Sequence, residues 1–427
     1  MRVAVLTVGS RGDVQPFVAF GSALREAGHE VRLCTHSRFE PLVRGRGLDF
    51  HALAEGALSR GQETEEGRRW ADRGSRRMPT WVGLLRDARS VAPQRMRDAD
   101  AGTADADVIV ATNLTQILGW QLARERGVPL VRTLLNAPAY WMSRRTSRPA
   151  AAAVRQAAWL AARPWLDAVR KEALDLGPLP AREPIGELDR RRELVLYPFS
   201  PSIFPMPPGW GDWTEVTGYW FLDAAVDPEP GDELRAFLDA GPAPVCLGFG
   251  TQLDPDPPAT TAALVEAVRG AGARAVLLRP AEALAGVELG DDVVAVDGVA
   301  HDWLFPRCAA VVHHGAAGTT ATALRAGTPS VLVPHNADQF TWARRLAELR
   351  AAPPPIARRK LTAEALRPAI VGATASNRIR ERTETLAARI RAEDGVAHAV
   401  AAFERRFGAA PPAPVAPAPA TVAGGAP

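Results

Sequence analysis

The chain is short of several things that would settle its chemistry at once. Its 427 residues hold only three cysteines, Cys34, Cys246 and Cys308, spaced far apart inside apolar runs and without a CxxC pair. A disulfide framework or a zinc site is therefore not expected, and the three read as reduced core residues. No uncharged stretch approaches the ~18 residues of a membrane span. The opening MRVAVLTVGSRGD is too short an apolar run for a secretory signal, so a cytoplasmic location is expected. An excess of one charge is also lacking. With 51 Lys+Arg against 48 Asp+Glu the net charge is +3, which calls for no nucleic-acid partner. The dinucleotide fingerprint is missing too, because Gly9-Ser10-Arg11-Gly12-Asp13 lacks the G-x-G-x-x-G spacing.

What is present is an alternation of buried strands and amphipathic helices. Val3 to Val8 is a continuous strand-forming run ending in glycines; Asp13 to Gln15 then opens a helical pattern with Phe17, Phe20 and Leu24 on one face, and Val31 to Thr35 is a second strand. Asp107 to Thr112 and Val128 to Leu135 continue the rhythm, which is that of a doubly wound α/β sheet. Val245 to Phe249, Ala275 to Leu278, Val293 to Val296, Ala309 to His313 and Ser330 to Pro334 repeat it, and Leu361 to Ala373 and Asn377 to Phe407 read as helices. With 47% hydrophobic residues there is material for two cores. The expected division is a first Rossmann-like domain over 1–208, a crossing over 209–240, a second Rossmann-like domain over 241–385, a helix over 386–408 returning to the first domain, and a disordered Pro/Ala tail over 409–427.

The stretch His313 to Gln339, HHGAAGTTATALRAGTPSVLVPHNADQ, is the most informative. Two histidines and the small residues Gly315, Ala316, Ala317 and Gly318 precede a helix-compatible run. A helix N-terminus offers unpaired N–H groups, and small residues let a diphosphate come close to them. Thr319 and Thr320 can add hydroxyls, and Asp338-Gln339 follow the next strand, at the sheet edge where such folds bind ligands. Gly250-Thr251 also follow a strand directly and could reach the same diphosphate, or be an ordinary turn. Asp13 reads equally as a general base at the end of the first strand or as a helix cap. Arg60 to Arg97, with Trp70 and Trp81, reads as a solvated helical insertion, with a flap over a substrate or a weak contact with an anionic membrane surface as the sharper options. Trp141, Trp159 and Trp165 lie in an alanine-rich stretch broken by Pro164, where tryptophans are more often core than ligand platform.

Taken together, the order and spacing of Gly9 to Pro16, Gly28-His29-Glu30-Val31, Gly218-Tyr219-Trp220, Gly248 to Thr251, His301 to Pro306, the HHGAAGTT run and Asp338-Gln339 resemble a family 1 glycosyltransferase of the GT-B fold. The resemblance covers nearly the whole chain and is nearest the branch of sterol 3-beta-glucosyltransferases and bacterial natural-product glycosyltransferases. It implies two Rossmann-like domains across a cleft, and inverting, metal-independent transfer of a hexose from UDP-glucose or a dTDP-deoxysugar to a hydroxyl of a large apolar acceptor. It requires no cofactor beyond that donor. Asp13 matches the position of the base. His314, standing 24 positions before Asp338, matches the phosphate-binding histidine, while Asp338 and Gln339 match the pair that holds sugar hydroxyls. Gly250, Thr251, Gly315, Ala317, Gly318 and Thr319 complete the expected donor site with Trp303, a candidate nucleobase neighbour or core residue. Arg11, Trp81 and Trp141 are the candidates on the acceptor side, and a monomer or homodimer is expected.

The sequence departs from the family at Ala316, where a glycine is usual, at Arg279-Pro280-Ala281-Glu282 in place of a Gly/Trp-rich loop, and at Asn336-Ala337. Two alternatives stand beside the transferase: a non-catalytic sugar-nucleotide-binding protein of the same fold, and a sugar-nucleotide epimerase.

Overall fold

The computed structural model describes residues 1–56, 80–136, 148–207, 209–222, 230–250, 252, 254, 256–278, 281–335 and 337–408, without the side chains of 80–88, 148–151, 281–282 and 337. Most of the Arg60–Arg97 segment, Trp141, Thr251 and the tail beyond 408 lie outside this set, as does the side chain of Trp81.

Among the described residues two parallel sheets form. The first contains β1 (Arg2–Leu6), β2 (Glu30–Thr35), β3 (Asp49–Ala52), β4 (Val108–Thr112), β5 (Leu130–Thr133), β6 (Val195–Tyr197) and β7 (Thr214–Val216), in the order 3-2-1-4-5-6-7. The second contains β8 (Val245–Gly248), β9 (Ala275–Leu278), β10 (Val293–Val296), β11 (Ala310–His313) and β12 (Ser330–Leu332), in the order 10-9-8-11-12. Strands such as VIVAT at 108–112 are buried along their whole length, which is why their apolar runs are continuous instead of alternating. In each sheet the order reverses beside the first strand, between β1 and β4 and between β8 and β11. Those reversals open the crevices in which doubly wound sheets hold ligands, at the carboxyl ends of the strands.

The helices that place the site are α1 (Arg11–Glu26), α2 (Thr80–Gly102), α3 (Arg148–Leu174), α4 (Ala317–Ala326), α5 (Ala337–Glu348), α6 (Asn377–Ala392) and α7 (Gly395–Phe407). Helix α3 continues through Pro164, where a break was expected. Buried Trp159 and Val169 on either side of the proline anchor the helix in the first domain's core. Trp159 is a core residue, donating through Nε1 to Pro180 O at 2.9 Å and meeting Trp120 edge-on at 5.7 Å. All three cysteines are buried.

Two short strands escaped the sequence pattern. β3 is only partly buried, and β7 has three residues, too few to show a period. Since β7 pairs with β6, the first sheet extends past the boundary expected at 208. The single helix expected over 377–407 is two. It stops at Ala392, and α7 restarts under an Asp394 cap whose Oδ1 accepts from Ala397 N at 3.0 Å. Leu386 and Ile390 lie in a cluster that joins Leu324 and Trp342 of the second domain to Tyr197, Phe199 and Phe204, whereas Ala399, Ala402, Phe403 and Phe407 join the first domain's core around Phe17, Phe20 and Trp220.

The break sits where the chain crosses itself. A Cβ on Gly395 would fall 2.4 Å from Tyr219 O, so the returning segment lies directly on the outgoing one. Beside this crossing Phe199, Phe204 and Trp342 are fully buried together, with Phe204 and Trp342 rings 4.8 Å apart. Burial of each such ring contributes roughly 2–3 kcal/mol. Arg345 adds a bond from Nε to Ile203 O at 2.7 Å, so α5 is braced by residues that precede the crossing. Among the described residues no helix is long and apolar enough to cross a membrane.

Candidate active site

The first half of the site grows from the end of β1. Gly9 has φ +123°, a left-handed value that glycine adopts without strain, and Ser10 caps α1. Asp13 is therefore a first-turn residue and not the cap itself. Its Oδ2 accepts from Ser10 N and Ser10 Oγ, both at 2.8 Å. A Cβ on Gly9 would lie 2.5 Å from the same oxygen, so the loop rests on the carboxylate. Burial holds Asp13 above the usual carboxylate range, although the Ser10 bonds and the Arg38 charge pull the other way. Arg11, expected on the acceptor side, is exposed at the start of α1 with Nε donating to Gln15 Oε1 at 2.9 Å.

The second half is built at the ends of β8, β11 and β12. His313 closes β11, is 1% exposed, and accepts from Gly315 N through Nδ1 at 3.1 Å. His314 follows it, with Nδ1 buried and without a hydrogen-bond partner among the described residues. Burial pushes His313 down to about 3 and His314 down to about 4, with neighbouring histidines adding to each shift. Both rings are therefore neutral at physiological pH. Gly250 is pressed close to it: a Cβ there would meet His314 Cε1 at 3.3 Å. Gly315 takes φ +87°, but Ala316 has φ −63° and ψ 147°, so the departure from glycine at that position needs no left-handed backbone. Helix α4 starts at Ala317 with no side-chain cap on its first N–H groups; Gly318 is exposed, and Ala317 and Thr319 are half-buried. Thr320 is fully buried.

Asp338, half-buried in the first turn of α5, is held above the usual range chiefly by burial and then by the charge of Asp13, against helix N–H groups that stabilise it. Carboxylates from opposite domains thus feel one another across the cleft. Gln339 is 4% exposed, and its Oε1 accepts from His335 N at 2.8 Å. Trp303 is half-buried with Arg307 4.3 Å and Arg235 5.6 Å from its ring centre, and it packs on the core beside Leu304 and Phe237. It is His301, two residues earlier, whose charge is felt at His313 and His314.

His301 and His335, which lie within the quoted motifs, and His36 and Arg38, which lie outside them, were given no site role from the sequence. His335 stands 6.4 Å from His314 and 5.1 Å from Phe249, ring centre to ring centre. A signal existed for several of these: His36 and His335 stand just past the carboxyl ends of β2 and β12, where ligands of such sheets bind.

Comparison with known proteins fits this geometry. Residues 3–116 match the glycosyltransferase family 28 N-terminal domain, and residues 264–402 match the erythromycin biosynthesis protein CIII-like C-terminal domain. The chain is 32% identical over 445 residues to sterol 3-beta-glucosyltransferase UGT80B1 of Arabidopsis thaliana, covering 95% of this chain and 68% of that protein. The chain belongs to the family 1 glycosyltransferases. As a glycosyltransferase it also shares its fold with solved relatives. The kitacinnamycin glycotransferase superposes with a TM-score of 0.70 at 19% identity, covering 95% of this chain and 98% of that one. VinC in complex with dTDP gives 0.64 at 22%, covering 95% and 100%. The GT-B arrangement expected for this glycosyltransferase, two parallel-sheet α/β domains, is the one found.

Proposed function

We propose that the protein transfers a hexose, with inversion and without a metal, from a nucleotide-diphosphate sugar to a hydroxyl of a large apolar acceptor. The observation that carries the reading is that Asp13 and Asp338 each stand in the first turn of a helix that follows a strand of the parallel sheets, one in each domain, and that burial makes both carboxyls more basic than usual. Asp13 is the base. Both of its hydrogen bonds fall on Oδ2, and among the described residues none is found to Oδ1, the oxygen we assign to the acceptor hydroxyl. As that hydroxyl loses its proton to Asp13, its oxygen attacks the anomeric carbon, and the C–O bond to the diphosphate breaks on the opposite face. General-base assistance of this kind is worth about 10² to 10⁴ in rate.

The departing diphosphate takes the electron pair. Its charge is met by the N–H groups of Ala317, Gly318 and Thr319 at the start of α4, by Gly250 and by the neutral ring of His314. Asp338 accepts from sugar hydroxyls, with Gln339 shaping that pocket through its bond to His335. UDP-glucose is the leading donor, and a dTDP-deoxysugar is the rival. A large apolar acceptor is supported by Leu114, 67% exposed just past the carboxyl end of β4, and by Phe340, 44% exposed beside Gln339, two exposed apolar side chains close in sequence to the proposed site residues. Arg11 belongs to the same side as Leu114.

The test is a matrix of UDP-glucose, dTDP-glucose and dTDP-rhamnose against sterols and macrolide aglycones, read by mass spectrometry, with product anomers assigned by NMR. Formation of a glycoside of inverted configuration supports the reading. Retained configuration, or no glycoside with any pair, overturns it.

A further inference from the structure

Gly9 is gripped from two sides by residues that follow β2. Its N–H donates to Nε2 of His36 at 3.3 Å, and Nδ1 of that ring stands 3.3 Å from Leu53 O. Because Nε2 accepts, the ring is the Nδ1–H tautomer, donating to Leu53, and both nitrogens are used in the neutral form. His36 is 1% exposed, and its burial pushes it down to about 4. The carbonyl of Gly9 accepts from the Arg38 guanidinium at 2.8 Å, and the same guanidinium lies 3.0 Å from Glu55. The loop so held is the one that rests on the Asp13 carboxylate. A histidine and an arginine from one segment thus fix both the N–H and the carbonyl of a single glycine.

We propose that His36 and Arg38 are positioning residues for sugar transfer: acting through Gly9, they hold Asp13 where its carboxylate meets the acceptor hydroxyl. This rests on the reading of Asp13 as the base. Arg38 has a second effect, because its charge favours the ionised carboxylate that burial disfavours. The groups facing Asp13 are Ser10 on its own turn, Arg38 from the segment after β2, and Asp338 from α5 across the cleft. Those facing His36 are Arg38, Glu55 and Arg95 of α2.

The experiment uses the full chain with the donor and acceptor that the wild type turns over fastest in the matrix above. Arg38→Gln lowers kcat ~10-fold or more with donor KM within about twofold, and it moves the acid limb of kcat/KM to higher pH. Arg38→Lys keeps the charge and leaves that limb in place. His36→Gln, which retains an acceptor for Gly9 N–H, stays within about threefold of wild-type kcat, whereas His36→Leu loses ~10-fold or more. If the acid limb is the same in Arg38→Gln as in wild type, or if both His36 variants fall alike, the clamp is overturned. Arg38 is 24% exposed, so its variants decide the matter even where a His36 variant fails to fold. Asp13→Asn separates the two levels: full turnover in that variant removes the base reading and the clamp with it, while a dead variant beside an unmoved acid limb removes the clamp alone.

Discussion

The two sides of the cleft offer different materials for the proposed transfer. On the first-domain side it is a side-chain carboxylate, acted on by a neighbouring guanidinium, a hydroxyl and its own burial. On the second-domain side the proposed contacts to a diphosphate are the backbone N–H groups of α4, beside rings that burial keeps neutral. The difference follows from the tasks. A base must change protonation state during the reaction, so its surroundings must set a proton affinity. An anion that only has to be held and released is best met by fixed dipoles that never titrate.

The sharpest way to break this contrast is at Asp13. Asp13→Asn removes the proton acceptor, so kcat should fall by about 10² to 10⁴ while donor affinity, measured by calorimetry with UDP and dTDP, stays within about twofold. A parallel loss of donor binding would place Asp13 on the wrong side of the comparison. His314→Ala should do the reverse: donor affinity falls by ~10- to 100-fold, the worth of one strong hydrogen bond to a charged oxygen.

A smaller effect tests the backbone itself. Gly315→Ala would force φ +87° on a residue with a Cβ and press that atom to 3.2 Å from Leu332 Cδ2. It should cost about 1–2 kcal/mol, seen as a lower Tm, whereas Ala316→Gly, where φ is already negative, should move Tm far less.

A further effect is in pH. His36, His313 and His314 are pushed from an ordinary 6.5 to about 4, about 3 and about 4, so the unfolded chain binds protons that the folded one refuses. Their stabilisation is complete above the unfolded value and is lost as pH falls from there through the folded values. Thermal melts should therefore show Tm falling from pH 7 to pH 5, while binding of UDP-glucose, whose diphosphate does not titrate over pH 6 to 8, stays flat there because His314 does not titrate either.

Much of this contrast was legible in the chain. Gly9 and Gly315 were readable because the backbone at each takes a shape that side chains resist, and the strands were readable because burial on both faces leaves unbroken apolar runs. The dual reading of Asp13 could not be resolved locally. What makes it basic is the packing around it, and its modifier Arg38 arrives from beyond β2 only because β1 and β2 pair in register, Leu6 beside Cys34. The turn between α6 and α7 was hidden for the same reason, since it exists to let Gly395 lie on Tyr219, far away in sequence. Trp303, which the sequence left as a nucleobase neighbour or a core residue, is half-buried and packed on the core with two guanidiniums near its ring.

The brace between Phe199, Phe204, Ile203 and helix α5 has a practical meaning for anyone recombining such proteins. A chimera joined anywhere in 209–240 would inherit one parent's aromatic plug and the other parent's Trp342, with a mismatched seam directly beneath the helix that carries Asp338. Joining before Phe199 keeps plug and socket from one parent, and residues 199–222 should travel with the second domain.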